Sequence, residues 1–203
     1  INVLSQNKSN PSKYCAVGEI GMDLFWDKTF IEAQKIVFRT QISWAKKLKL
    51  PIAIHARDAF DEIFEILNEE NDETLKGVFH CFTGNLEQAN KILDYGGFKL
   101  GIGGVITYKN SGLTEVLNSV ELKHLVVETD APYLSPAPFR GKRNESAYLS
   151  YIIEKISGIY KLSDAIIAEV TSQNAIELFQ LEKFNTHIDH RVEAARSIIA
   201  LIR

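Results

Sequence analysis

Pro51-Ile52-Ala53-Ile54-His55-Ala56-Arg57-Asp58 is an apolar run that reads as a strand and leads into a residue able to bind a metal. The same arrangement recurs in Ala16-Val17-Gly18-Glu19-Ile20-Gly21-Met22-Asp23, in Gly77-Val78-Phe79-His80-Cys81-Phe82 and in Leu125-Val126-Val127-Glu128-Thr129-Asp130-Ala131-Pro132. Parallel strands that alternate with helices present all their carboxyl ends on one face. Glu19, His55, His80 and Asp130, far apart in the chain, are therefore expected to converge there.

Working outward from these runs, helical periodicity fills the gaps. Phe30, Ala33, Ile36, Val37, Thr40, Trp44, Ala45 and Leu48 keep helical spacing between about Thr29 and Lys49, and Leu50-Pro51 stops that helix. Asp58 is placed to cap the next one, whose buried face is Phe60, Ile63, Phe64, Ile66 and Leu67. The acidic run Glu69 to Glu73 reads as a solvated helix end. Thr83-Gly84-Asn85 turns into a helix carrying Ala89, Ile92, Leu93 and Tyr95, which Gly96-Gly97 ends. Phe98 to Ile106 reads as a further strand without a ligand, its glycines implying close approach of the backbone to something. After a short helix near Leu113 to Asn118 comes the strand before Asp130. Prolines at 132, 136 and 138 then stiffen a loop, and helices are expected at about Ser146 to Ile159 and Ser163 to Phe179. Five strand-helix units of this kind predict a parallel sheet. A barrel is favoured over an open doubly wound sheet, because Gly101, Gly103 and Gly104 have the wrong spacing for a dinucleotide fingerprint and follow a helix instead of opening one.

The chain has 203 residues, 45% of them hydrophobic, and a formal charge of -3. That is enough to bury a substantial core, and residues 1–203 read as a single domain. The charge gives no global field for a polyanion, so contact with nucleic acid would have to come from a local basic patch. Cys15 and Cys81 do not make a disulfide framework, and they suit a reducing cytoplasm. No apolar stretch approaches the roughly 20 residues needed to cross a bilayer, so no membrane contact is expected.

Two imidazoles and two carboxylates suit zinc, manganese, iron or, with added water, magnesium. In a site with two such ions Glu19 fits the bridging position, and Asp130 could bind one ion while accepting the proton of an attacking water. Each residue taken alone has an ordinary reading, the histidines as packed side chains and the carboxylates as helix caps. Four of them at one position in four separate units carry the argument. Arg57 stands two residues past His55, where its planar fork could hold a phosphate or pair with Asp58 or Asp61. Arg140-Gly141-Lys142-Arg143-Asn144 is a compact basic loop ahead of a helix start, with Arg140, Lys142 and Arg143 available to phosphate. Phe25, Trp26, Phe82, Tyr108, Tyr133 and Phe139 lie on the same loops, where one or two could stack on a base.

With Gly18 to Asp23, Pro51 to His55 with Arg57-Asp58, Phe79 to Gly84, Glu128 to Leu134 and Arg140 to Glu145 in that order, the chain closely resembles the TatD family over about residues 15–180. The resemblance implies an α/β, TIM-like (β/α)8 barrel of the metal-dependent hydrolase type. It implies deoxyribonuclease activity trimming DNA from the 3′ end, and two divalent ions (Mg, Mn or Zn) on Glu19, His55, His80 and Asp130, with Glu19 shared. The implied partner is DNA, single-stranded or at 3′ ends, with no obligate protein partner evident. A hydrolase of a small ester, lactone or amide and a non-catalytic remnant are the alternatives. The chain departs from the family at its start. TatD proteins open with a strand bearing an H-x-H ligand pair and two more strand-helix units before the glutamate motif, whereas only 18 residues precede Glu19 here. The first three units are thus expected to be absent from these 203 residues. Residues 185–203 form an atypical tail, where His187 and His190 read either as a displaced version of that opening or as solvated residues at a helix start.

Overall fold

The computed structural model describes residues 14–181. The tail with His187 and His190 lies outside the described residues. Five strands, β1 (Val17–Asp23), β2 (Ile52–Arg57), β3 (Gly77–Phe79), β4 (Phe98–Ile102) and β5 (Leu125–Val127), form one sheet in sequence order, and every neighbouring pair is parallel. Helices α1 (Ile31–Leu48), α2 (Phe60–Glu70), α3 (Leu86–Asp94) and α4 (Leu113–Leu117) connect the strands, and α5 (Leu149–Tyr160) and α6 (Asp164–Phe179) follow β5. These are five consecutive units of the expected barrel, with β1 and β5 at the two edges of the arc.

Strand periodicity sorts the side chains between two faces. Ile20, Met22, Ile52, Ile54, Phe79, Leu100, Ile102, Leu125 and Val127 point to the helical layer and join Phe38, Ile42, Ile63, Ile66, Leu67 and Ile92 in the main core. Residues of opposite parity, Ala53, Val78 and Val126, belong to a second cluster with Cys15 and with Ala175, Leu178 and Phe179 of α6. Ile167, earlier in α6, still packs in the main core. The helix therefore starts on the outer layer and ends against the concave face. Asn174 secures it there by donating to the carbonyls of Leu122 (3.0 Å) and Leu125 (2.8 Å).

Several local expectations are corrected. Asp58 does not cap α2; Ala59 holds the cap position and Asp58 itself adopts a left-handed φ of 51°. The buried stripe of α1 is Phe38, Ile42 and Ala45, while Ile36 and Val37 are exposed. The acidic end of α2 is not merely solvated, since Arg39 of α1 reaches Glu69 at 2.7 Å and Lys46 reaches Asp72 at 2.8 Å. Finally, β4 stops at Ile102, and Gly104–Thr107 form a 3-10 turn. A side chain at Gly104 would collide with the Leu134 carbonyl, so the missing Cβ is what lets the β5 loop close over this turn.

Candidate metal centre

The inner-face parity that places Ala53 and Val78 below places His55 and His80 above them at the carboxyl end of the sheet. In β1, Ile20 and Met22 face the main core, so Glu19 and Asp23 share the opposite face with the histidines. The result is a tight group: Glu19, His55 and His80 each offer a ligand atom, all within 4.8 Å of one another. His55 Nδ1 lies 3.3 Å from His80 Nε2, and His80 Nε2 lies 3.7 Å from Glu19 Oε2. Donor atoms about 2.1 Å from a tetrahedral ion stand roughly 3.4 Å apart. The spacing therefore fits a first-row divalent ion, and the N/N/O donor set suits zinc or manganese.

These three residues line a cavity of about 880 Å³ together with Arg57, Cys81, Asp130, Tyr133 and Leu134. Asp130 thus faces the same space, although it stands outside the three-residue group. Of the cations expected to meet phosphate, Arg57 is in the lining and Arg140, Lys142 and Arg143 are not. The Arg140 guanidinium instead stacks 4.5 Å over Tyr108. Three of the turns that deliver these residues pass through a left-handed non-glycine residue, Asp58 after β2, Cys81 after β3 and Asp130 after β5. Such conformations cost free energy and persist where the surrounding structure imposes them.

Two carboxylates that orient the histidines were not singled out from the sequence. His55 Nε2 lies 3.1 Å from Asp23 Oδ2, which leaves Nδ1 directed at the group. His80 Nδ1 lies 3.5 Å from Glu128 Oε1, which leaves Nε2 directed inward. Glu128 is 5% exposed, also accepts a hydrogen bond from the Cys81 backbone N–H, and fits because β4 carries Gly101 beside it, where a Cβ would come within 2.9 Å of Glu128 Oε2. This is the close approach expected of the β4 glycines. Carboxylates in this position fix the tautomer of a ligating histidine and raise its basicity. The signal for both was strand parity: Glu128 is two residues on from inward Val126, and Asp23 four on from Glu19.

The electrostatics follow from the same contacts. Burial alone would lower the pKa of His80, but Glu128, Glu19 and Asp130 outweigh it and push the imidazole up to about 9. Asp23 also feels burial, which favours its neutral form, yet the Phe25 N–H, His55 and Arg57 hold its carboxyl below the usual range. Burial, and after it the carboxylates of Glu128, Asp130 and Glu19, push the Cys81 thiol up.

Donors gathered at the carboxyl ends of parallel strands, each histidine backed by a carboxylate, define the barrel class of metal-dependent hydrolases. Residues 2–180 match the family described as TatD related DNase, and the chain belongs to the TatD family. It is 44% identical over 170 residues to the Bacillus subtilis protein described as uncharacterized metal-dependent hydrolase YabD, covering 83% of this chain and 66% of the relative. It is 35% identical over 168 residues to YcfH of Escherichia coli, covering 82% and 63%. Among solved structures, the TatD homolog YjjV of Escherichia coli superposes with a TM-score of 0.76 at 32% identity, over 81% of this chain and 63% of that one. The chain thus spans about two-thirds of the length of the relatives it matches.

Proposed function

We propose that this chain carries the active centre of a divalent-metal-dependent hydrolase that cleaves phosphodiester bonds in DNA and removes nucleotides from a 3′ end. The observation that carries the reading is the convergence of Glu19, His55 and His80 within 4.8 Å at a cavity also lined by Asp130 and Arg57. The family's description as a DNase supports the choice of substrate. Glu19, His55, His80 and Asp130 are the ligands in this reading, for two divalent ions (Mg, Mn or Zn). Bound there, the ions would supply positive charge that polarises the phosphoryl group and acidifies water. Asp130 accepts the proton of the attacking water. Arg57, which lines the cavity and lies 4.0 Å from Asp23 Oδ2, holds a non-bridging phosphate oxygen in this reading. Asp23 and Glu128 keep the two imidazoles in the tautomers that leave Nδ1 of His55 and Nε2 of His80 free to ligate. The reading includes a cytoplasmic setting, consistent with the free thiols of Cys15 and Cys81; no helix among the described residues is long and apolar enough to cross a membrane.

The test combines metal content with turnover. Purified protein loaded with each divalent ion in turn is assayed on a 3′-labelled single strand, on a nitrophenyl phosphodiester and on a lactone. Ladder-like loss of nucleotides from the 3′ end, abolished in Glu19→Ala together with bound metal, is the expected result. Full activity of Glu19→Ala refutes its role as ligand. Lactone hydrolysis without phosphodiester cleavage moves the chain to another substrate class, and failure to bind any ion makes it non-catalytic.

A further inference from the structure

Beside the cavity the chain displays aromatic surface that the hydrolytic reading does not use. Trp26 is 81% exposed and Phe25 47% exposed, on the loop that leaves the carboxyl end of β1. The two rings meet edge to face, with centroids 4.6 Å apart and planes at 89°. On Phe25 lies the Arg57 guanidinium, 3.8 Å from the ring centroid and 5.8 Å from that of Trp26. Arg57 is also part of the cavity lining. One side chain therefore joins the aromatic pair to the space where the metal donors converge. Across the same cavity Tyr133 is 68% exposed and Leu134 stands next to it.

The backbone that leads into the pair is pinned. The Phe25 N–H donates to Asp23 Oδ1 at 3.0 Å, and the Leu24 N–H to the Arg57 carbonyl at 2.9 Å. Gln34 of α1 clamps Asp23 by accepting from its N–H at 2.9 Å and donating to its carbonyl at 3.1 Å. On this pinned backbone an indole, with only two side-chain torsions, offers a flat face at small entropic cost, which is what a stacking partner needs. The neighbouring charges select the kind of partner. Asp27 follows Trp26 directly and disfavours a phosphate at the indole, while Arg57 on the cavity side attracts one. A ligand with a flat uncharged ring on the outside and an anion on the inside satisfies both, and a nucleotide has that form.

Resting on the phosphodiesterase reading, we propose that Phe25, Trp26 and Arg57 form a base-stacking subsite that grips an unpaired nucleotide of a single strand whose neighbouring phosphate enters the metal cavity. Every base has a ring face, so the subsite accepts any sequence but requires a base, and it requires that base to be unpaired. Duplex ends fray before they are held. The rival occupant is a polypeptide lying over the exposed Phe30 at the N-cap of α1 and the exposed Ile36 and Val37 within it, and reaching Trp26.

The experiment uses the full chain with Mg²⁺ and phosphorothioate strands of about ten nucleotides, within the range of single-strand site sizes, either oligothymidylate or an abasic strand of equal length. Indole emission is expected to be quenched by oligothymidylate and unchanged by the abasic strand. Stacking contributions per base predict that Trp26→Ala weakens oligothymidylate binding by roughly fivefold to a hundredfold, with Trp26→Phe recovering part of the loss. Equal affinity for the two strands overturns the subsite, as does a Trp26→Ala protein that binds oligothymidylate as tightly as the parent. A change in oligomeric mass in Trp26→Ala with unchanged strand affinity overturns it in favour of polypeptide cover. Should Trp26→Ala fail to fold, the strand comparison on the parent protein and Trp26→Phe decide the matter. Cleavage of unmodified DNA is read separately. Cleavage without base-dependent binding removes the subsite and leaves the hydrolase, whereas base-dependent binding without cleavage does the reverse.

Discussion

His80 shows most directly how single residues set the chemistry here. It is 7% exposed, lies against Glu128 on one side and faces Glu19 and His55 on the other. With its folded pKa raised to about 9 from an ordinary value near 6.5, protonated His80 stabilises the ion-free fold. That contribution is complete below about pH 6.5 and is lost as pH rises through about 9. Thermal melts in a chelator are therefore expected to fall as pH increases across this window. Because the proton must leave before Nε2 can ligate, divalent-ion affinity should rise over the same range, readable by titration calorimetry. Glu128→Gln keeps the shape but not the charge and is expected to weaken ion binding by about 10–100-fold with an unchanged far-ultraviolet spectrum; unaltered affinity would remove Glu128 from the centre. At this scale the sequence was informative about which side chains gather, since Glu19, His55 and His80 were all picked out and all converge. Asp23 and Glu128 were overlooked because a carboxylate near a strand end looks the same whether it caps a helix or turns inward to a histidine. Only parity along the strand distinguishes the two.

Among the elements, α1 marks where periodicity alone runs out. Its sequence carries two apolar sets, one containing Ile36 and Val37 and the other Phe38, Ile42 and Ala45, and both satisfy helical spacing. Which one is buried depends on the rotation at which the helix docks on the sheet. The ion pairs from Lys35 to Glu65 and from Arg39 to Glu69 on α2 agree with the second choice. Phe38→Ala should therefore cost about 3–5 kcal/mol in chemical denaturation, and Ile36→Ala within roughly 0.5 kcal/mol of nothing; the reverse order would mean that the helix is turned the other way. The start of α3 was legible because its signal is local. Asn85 accepts from the Gln88 N–H and Gln88 accepts from the Asn85 N–H, each at 2.9 Å. Asn85→Ala is expected to lose about 1 kcal/mol. Asp58 carried a similar signal before α2 and failed, because the left-handed turn out of β2 takes it away from the helix end.

Taken as a whole, the molecule is an arc of parallel strands whose outer face is covered by helices and whose inner face holds the donors above and a small apolar cluster below. The alternation of strands and helices was legible throughout, as was the side of the sheet on which the chemistry gathers. What could not be read was that the last described helix passes from the outer layer to the concave face, since Ala175, Leu178 and Phe179 keep ordinary helical spacing and give no sign of which layer they serve. Phe179→Ala is expected to cost about 3–5 kcal/mol and also to weaken ion binding, because the floor beneath His55 and His80 loosens. Loss of stability with ion affinity intact would uncouple the two. The position of that floor has a consequence for synthesis. Each strand pairs with its predecessor, so the sheet can grow as the chain leaves the ribosome, and all five strands emerge before Leu178 and Phe179. At about 5–20 residues per second, Leu178 and Phe179 follow Asp130 by seconds, and until they arrive Ala53, Val78 and Val126 lack their cover from α6.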